Sequence, residues 1–167
     1  MGRVFVGIDP GLTGGLAAIS EEGQIVDITP MPRLGGSTGP LCFYDIKVWF
    51  SGIRNGHTIY AAIERASVRP KEGVRSVLTI GTNWGFLKGM LVAIGAKHEE
   101  PTPQQWKKAL GLPKRAGAER KKGKEDAAVL ATQLFPGINL TPGRRSVPHD
   151  GMADAVLIAE YARRTLS

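Results

Sequence analysis

The chain has 167 residues, 42% of them hydrophobic, which suits one compact domain over residues 1–167 and is short for two. Lys and Arg number 22 against 15 Asp and Glu, a net charge of +7 with a pI near 9.8, so an anionic partner such as nucleic acid is favoured. The lone Cys42 excludes an intramolecular disulfide and a Cys-based zinc site and fits a reducing cytoplasm, no apolar run reaches membrane-spanning length, and the opening residues carry no signal-peptide or myristoylation pattern.

Three strands are predicted first, at 3–9, 15–20 and 24–29. The first is an apolar run, Val4 to Ile8, that ends in a single carboxylate, Asp9. Asp9, Pro10 and Gly11 in succession suit a tight turn, so taken alone Asp9 reads as a turn residue. Glu21-Glu22-Gly23 makes the second turn of an antiparallel meander. Residues 30–40 are rich in Gly and Pro and read as a loop. A helix follows over 43–54, with Phe43, Ile46, Trp49, Phe50 and Ile53 at three- and four-residue steps.

The next strand, 59–64, copies the first: an apolar run ending in Glu64. A strand, a helix and a strand predict a right-handed crossover that lays this strand parallel to the first. Asp9 and Glu64 then share the sheet end where α/β proteins build their sites. Residues 71–94 read as one long helix with Gly81, Gly85 and Gly89 on a single face. Each Gly gives up roughly 1 kcal/mol relative to Ala, so the smooth face implies close approach, to the sheet first or else to a second subunit.

Residues 97–101 are expected as a short last strand. Thr102-Pro103-Gln104-Gln105 is a helix start with Thr as the cap, and Trp106, Leu110 and Leu112 are its apolar contacts. Residues 113–124 read as a solvated basic loop, with Lys114, Arg115, Arg120, Lys121, Lys122 and Lys124 among small residues. A phosphate backbone relieves the repulsion among so many like charges. Residues 127–135 are helical, 136–148 form a loop, and the last helix covers 149–165.

Asp150 and Asp154 stand four apart at the start of that helix and share a face with Leu157, Ile158 and Tyr161. Asp154 is thereby aimed at the edge of the core, where an unpaired carboxylate is unfavourable unless a cation meets it. Asp150 has an equal claim to capping the helix, and His149 reads as a turn or supporting group. Together these residues bring carboxylates from three elements to one end of one sheet. Hard oxygen donors without cysteine argue for Mg²⁺ or Mn²⁺, and two such ions roughly 3.5–4 Å apart can activate a water and stabilise the leaving oxygen of a phosphodiester. A metal-dependent nuclease fits both the acids and the basic surface. An Asp-led strand turn with Gly and Thr also opens sugar kinases and actin-like ATPases, which need two lobes to enclose a nucleotide. A non-catalytic nucleic-acid-binding module has no use for the acidic set.

Over nearly its whole length the chain resembles the RuvC-type Holliday junction resolvases of the ribonuclease H-like superfamily. Gly7-Ile8-Asp9-Pro10-Gly11 is similar to the first catalytic motif of that family and Ala62-Ile63-Glu64 to the second. Asp154-Ala155 followed by Val156-Leu157-Ile158-Ala159 is similar to the last, and Trp106-Lys107-Lys108-Ala109-Leu110-Gly111 with Lys124 to the basic DNA-contacting segment. The resemblance implies a ribonuclease H-like α/β fold, a five-stranded mixed sheet with helices on both faces. It implies Asp9, Glu64, Asp150 and Asp154 as catalytic and metal-binding residues holding two Mg²⁺ ions, with Mn²⁺ as a substitute. Lys107, Lys108, Lys114, Arg120, Lys121, Lys122, Lys124 and Arg69 become DNA contacts, with Lys71 and Arg75 as further ones. The implied enzyme is a cytoplasmic homodimer of a bacterial or phage-infected cell that nicks a four-way junction symmetrically, with no nucleotide cofactor and no membrane. Flaps and forks are the alternative branched substrates. In the family the long helix after the second catalytic residue joins the dimer contact, which moves the Gly81/Gly85/Gly89 face toward an interface.

Two positions depart from the family pattern. The last two acids are usually three apart, but three before Asp154 stands Gly151, so Asp150 is the natural substitute and His149 the weaker one. An aromatic wedge often stands three after the catalytic Glu, where this chain has Ser67. Shortened relatives of this kind occur in phages.

Overall fold

The structure, a computed structural model, describes residues 2–36, 38–68, 70–114 and 119–166, without the Arg120 side chain. Arg69, expected as a DNA contact, and Arg115, of the basic stretch, lie outside the described residues. The opening meander consists of β1 (Gly2–Asp9), β2 (Gly15–Ser20) and β3 (Ile25–Pro30). After it come α1 (Phe43–Arg54), β4 (His57–Ile63), α2 (Val74–Ala93), β5 (Lys97–Glu99), α3 (Pro103–Ala109), α4 (Arg120–Leu134) and α5 (Asp150–Thr165). The sheet order is β3-β2-β1-β4-β5. The β1–β2 and β2–β3 pairs are antiparallel, whereas β4 runs parallel to both β1 and β5. No helix among the described residues is long and apolar enough to cross a membrane.

Alternation along the strands divides the core in two. Val4, Val6 and Ile8 of β1 join Ala61 and Ile63 of β4 in packing against Ile46, Phe50 and Ile53 of α1 and Leu87 and Leu91 of α2. Phe5, Ala17, Ile19 and Ala62 face the other way, onto Trp106, Ala127, Ala131 and the buried run of α5. Helices therefore cover both faces. By the same alternation Asp9 and Glu64 continue the Phe5 and Ala62 rows, toward α5.

At three glycines in the seam between α5 and the β1–β2 hairpin, backbone packs directly on backbone. A Cβ on Gly7 would lie 2.0 Å from the Ala155 carbonyl oxygen and 2.2 Å from the Ala159 nitrogen. One on Gly151 would lie 2.2 Å from the Thr13 carbonyl oxygen, and one on Gly15 would lie 2.7 Å from the Gly151 carbonyl oxygen. Backbone meets backbone at each of these points, so nothing flexible is available to yield.

Three expectations change. Gly81, Gly85 and Gly89 do not pack on the sheet: none of the three is buried, and a methyl added to any of them would meet nothing within 4 Å. The inward face of α2 belongs to Asn83, Leu87 and Leu91, about 200° around the helix from the glycine row. The basic stretch is not all loop, because α4 begins at Arg120 and carries Lys121, Lys122 and Lys124 on its first turns. Lys124 is tied to Asp150 at 2.5 Å, which anchors that charged end onto α5. Lastly, β5 ends at Glu99, two residues early.

The seam yields a stability prediction. Gly7→Ala should destabilise by about 3 kcal/mol or more in a denaturant melt, because overpacking here meets the α5 backbone at both Ala155 and Ala159. Gly52→Ala, in the last turn of α1 with open space around it, should be neutral or stabilise by up to about 1 kcal/mol. Equal effects at the two positions would contradict the close approach.

Candidate active site

Asp9 ends β1, and the sheet register sets what stands beside it. Ile8 pairs with Ile63 across the parallel β1–β4 ladder, and the Glu64 amide donates to the Ile8 carbonyl at 2.9 Å. Asp9 and Glu64 are thus brought to the ends of adjacent strands. Asp9 also keeps its turn role, since its Oδ1 accepts from the Gly11 amide at 3.2 Å while the Gly14 amide donates to the Gly11 carbonyl at 2.9 Å. Asp154 lies in the second turn of α5, half-buried amid a fully buried run, delivered by the glycine seam to the same place.

Glu64 is held at both ends by tryptophans. The Trp84 indole N–H on α2 donates to its backbone carbonyl at 3.2 Å. The Trp106 indole N–H on α3 donates to its carboxylate Oε2 at 2.8 Å. Trp106 is completely buried. By sequence it reads as an apolar contact at the head of the basic segment; the signal for the bond is that a buried indole N–H ordinarily requires an acceptor.

The electrostatics reflect the crowding. Burial, then the charge of Glu64, pushes Asp9 up to about 6. Burial also pushes Asp154 up to about 6, against the pull of Lys107 and with the charges of Asp9 and Asp150 adding to the rise. Glu64 is raised by burial, opposed by the Trp106 hydrogen bond and reinforced by Asp154. Lys107 favours the ionised form of all three acids, and its Nζ lies 4.9 Å from the Trp106 ring centroid. Lys124 does the same for Asp9 and Asp154.

The helix start departs from expectation. Asp150 is not the cap: the N-cap is His149, whose Nδ1 accepts from the Met152 amide at 3.3 Å. Burial, together with the nearby Arg145, holds the His149 imidazole below its ordinary value and so available as an acceptor. Asp150 is the first helical residue and pairs with Lys124. The glycine at 151 has a steric cause, because the Thr13 carbonyl occupies the space any side chain there would need.

Lys108, Lys114, Lys121 and Lys122 are exposed, on or next to the two helices that bond to Glu64 and Asp150. Among the described residues no three acidic, histidine or cysteine side chains stand close enough to enclose an ion as they are. The donor chemistry still fits one: three half-buried carboxylates that raise one another's proton affinity, all hard oxygen, suit Mg²⁺ or Mn²⁺. A cleft of about 780 Å³ opens beside Asp9 and Glu64 and runs along α2 past Ser67 and Asn83.

This sheet order, with its crossover and terminal helix, is the ribonuclease H-like α/β fold of the RuvC-type Holliday junction resolvases. Solved structures similar to it include three of resolvases. Thermus thermophilus RuvC in complex with a Holliday junction substrate matches with a TM-score of 0.64 at 18% identity, over 95% of this chain and 91% of that one. A second Thermus thermophilus RuvC structure matches at 0.60 and 19% identity, over 95% and 92% of the two chains. The yeast mitochondrial Holliday junction resolvase Ydc2 matches at 0.54 and 16% identity, over 95% and 77%. No family model and no curated protein sequence matches the chain.

The raised acids set a pH dependence. Asp154 ordinarily titrates at 3.8 and here at about 6. The folded metal-free protein therefore binds this proton more tightly than the unfolded chain does. The stability it contributes is complete below about pH 4 and is lost as pH rises through about 6. Asp154→Asn should raise metal-free stability relative to the parent, the gap widening by roughly 2 kcal/mol between about pH 4 and pH 8 in urea melts. A gap that does not change with pH would mean that Asp154 titrates as an ordinary surface carboxylate.

Proposed function

We propose that this protein is a metal-dependent, structure-selective endodeoxyribonuclease that resolves four-way DNA junctions as a homodimer, each subunit nicking one strand. The observation that carries the reading is the convergence of Asp9, Glu64 and Asp154, from β1, β4 and α5, on one edge of a RuvC-like sheet. Likeness to resolvases, one of them bound to a Holliday junction substrate, supports the choice of substrate. Such an activity belongs in the cytoplasm of a bacterial or phage-infected cell, where branched DNA arises.

Asp9, Glu64 and Asp154, with Asp150 as the fourth, would hold two Mg²⁺ or Mn²⁺ ions, and when bound these supply an activated water and a stabilised leaving oxygen. Trp106 keeps the Glu64 carboxylate in one orientation. Asp150, paired with Lys124 here, would be available as that fourth ligand were Lys124 drawn to a DNA phosphate. Lys107 beside the acids, and the exposed Lys108, Lys114, Lys121 and Lys122, neutralise the phosphate backbone, so binding weakens steeply with salt.

The dimer reading rests on the outer face of α2. Val74, Leu78 and Val92 are 87%, 68% and 66% exposed, and together with Gly81, Gly85 and Gly89 they form one stripe at helical spacing. Apolar residues flanking a glycine groove allow a second α2 to approach closely. A two-fold dimer matches the two-fold symmetry of a junction.

The test is nicking of synthetic four-way junctions, flaps and plain duplex with Mg²⁺ or Mn²⁺. Wild type should cut the junction at paired, symmetric positions, and Asp154→Asn should lose at least about 100-fold in rate while still binding the junction. Trp106→Phe, which keeps the bulk and removes the N–H, should lose about 10- to 100-fold in rate or metal affinity. Cutting plain duplex equally well would overturn junction selectivity. In sedimentation, wild type should be a dimer and Leu78→Glu a monomer; a wild-type monomer at working concentration would rule out paired cleavage.

A further inference from the structure

Glu64 stands one residue past the end of β4, where the sheet stops supplying a regular ladder. The peptide group that follows it is nevertheless bonded at both polar atoms. Its carbonyl accepts from the Trp84 indole N–H at 3.2 Å, and its amide, that of Arg65, donates to the Pro101 carbonyl at 2.9 Å. One clamp comes from α2 and the other from the segment that joins β5 to α3. The two clamps are tied to each other. Lys88, one helical turn beyond Trp84, sets its Nζ 4.3 Å from the Trp84 ring centroid and 2.6 Å from Glu100 Oε1. Glu100 immediately precedes Pro101. The contacts close a ring that runs from the Glu64 carbonyl through Trp84, Lys88, Glu100 and Pro101 to the Arg65 amide.

Lys88 is the member that holds the ring closed. An indole N–H lies in the plane of its ring, so a cation seated on the ring face fixes that plane and with it the aim of the N–H at Glu64. Such a contact is worth about 0.5–1 kcal/mol at an exposed site and about 2 kcal/mol once water is removed. The Lys88 and Glu100 side chains are 33% and 25% exposed, against 60% and 46% for the Lys124–Asp150 pair, so water screens the first pair less than the second. The Glu64 amide donates to the Ile8 carbonyl on one side, and the ring fixes the peptide plane on the other. Together they set the direction in which the Glu64 side chain leaves the backbone, and Trp106 then orients the carboxylate.

We propose that Lys88 is a positioning residue for Glu64: by tying Trp84 to Glu100 it closes the ring that holds the peptide plane after Glu64, and so sets how tightly the site binds a divalent metal. The inference rests on the nuclease reading above and adds a residue on which the metal affinity of that site depends, placed on a helix that contributes no acid to it.

The experiment measures Mn²⁺ binding to the full-length protein by electron paramagnetic resonance, without DNA and without catalysis. Lys88→Met, which keeps the stem of the side chain and removes its charge, should weaken Mn²⁺ binding about 10-fold. Glu100→Gln opens the ring from the other side and should weaken it about 3-fold or more. The double variant should fall within about two-fold of Lys88→Met, because a ring already open is not opened again. Lys88→Arg keeps both contacts and should bind within about two-fold of wild type. Exchanging the partners, Lys88→Glu with Glu100→Lys, separates positioning from simple stabilisation: it restores an ion pair but sets a carboxylate on the indole face, so Mn²⁺ binding should stay weak. If Lys88→Met and Glu100→Gln, both folded by circular dichroism, bind Mn²⁺ as wild type does, or if the exchange restores wild-type affinity, the positioning role is overturned and the nuclease stands. If wild type binds no Mn²⁺ and cuts no branched DNA, the nuclease reading falls and takes this one with it.

Discussion

Everything at the candidate site depends on a helix lying directly on a hairpin. Gly7, Gly15 and Gly151 let the backbone of α5 touch the backbones of β1, β2 and the turn between them. With any side chain at these points α5 would stand farther off, and Asp154 would move away from Asp9. The seam therefore fixes the separation of two carboxylates through contacts that contain no carboxylate. It also accounts for the glycine at 151, because the Thr13 carbonyl occupies the space that any side chain there would need.

The second constraint is electrical. Three half-buried acids close together favour neutralisation, and without a metal they get it from protons, from Lys107 and from Lys124. Glu160 shows the alternative that a purely structural acid takes. Buried at the far end of α5, it is clasped by Arg163 and Arg164 at 2.8 and 2.7 Å and is held below the usual carboxylate range. Hydrogen bonds and ion pairs outweigh burial there, whereas Asp9 and Asp154 have no arginine partner among the described residues. The contrast separates acids that support the fold from acids arranged for something else.

Strands and helices are legible in the sequence because their hydrophobic periods are regular. The two apolar runs ending in Asp9 and Glu64 are enough to place both residues at one sheet edge, as the Ile8–Ile63 register bears out. The glycine row of α2 misleads because glycine carries no hydrophobic signal to say which side faces in; Leu87 and Leu91 carry it. The basic stretch looks like a loop because charge repulsion is visible in the sequence and the distant Asp150 that anchors Lys124 is not. Residue preference points to Asp150 as the cap, but His149 is the residue whose backbone is extended and whose side chain meets the Met152 amide. Asn83 gives no signal at all, since an asparagine inside a helix pattern reads as surface until the packing is known.

The two tryptophans that grip Glu64 come from opposite layers. Trp84 belongs to the core beneath α2, and Trp106 to the core beneath α5. A side chain held in this way has already given up its rotational freedom when the protein folds. In the proposed metal site a cation would then have little left to order at Glu64, a saving in entropy of about 1 kcal/mol for one immobilised side chain. Part of the work of assembling the candidate site is thus completed during folding.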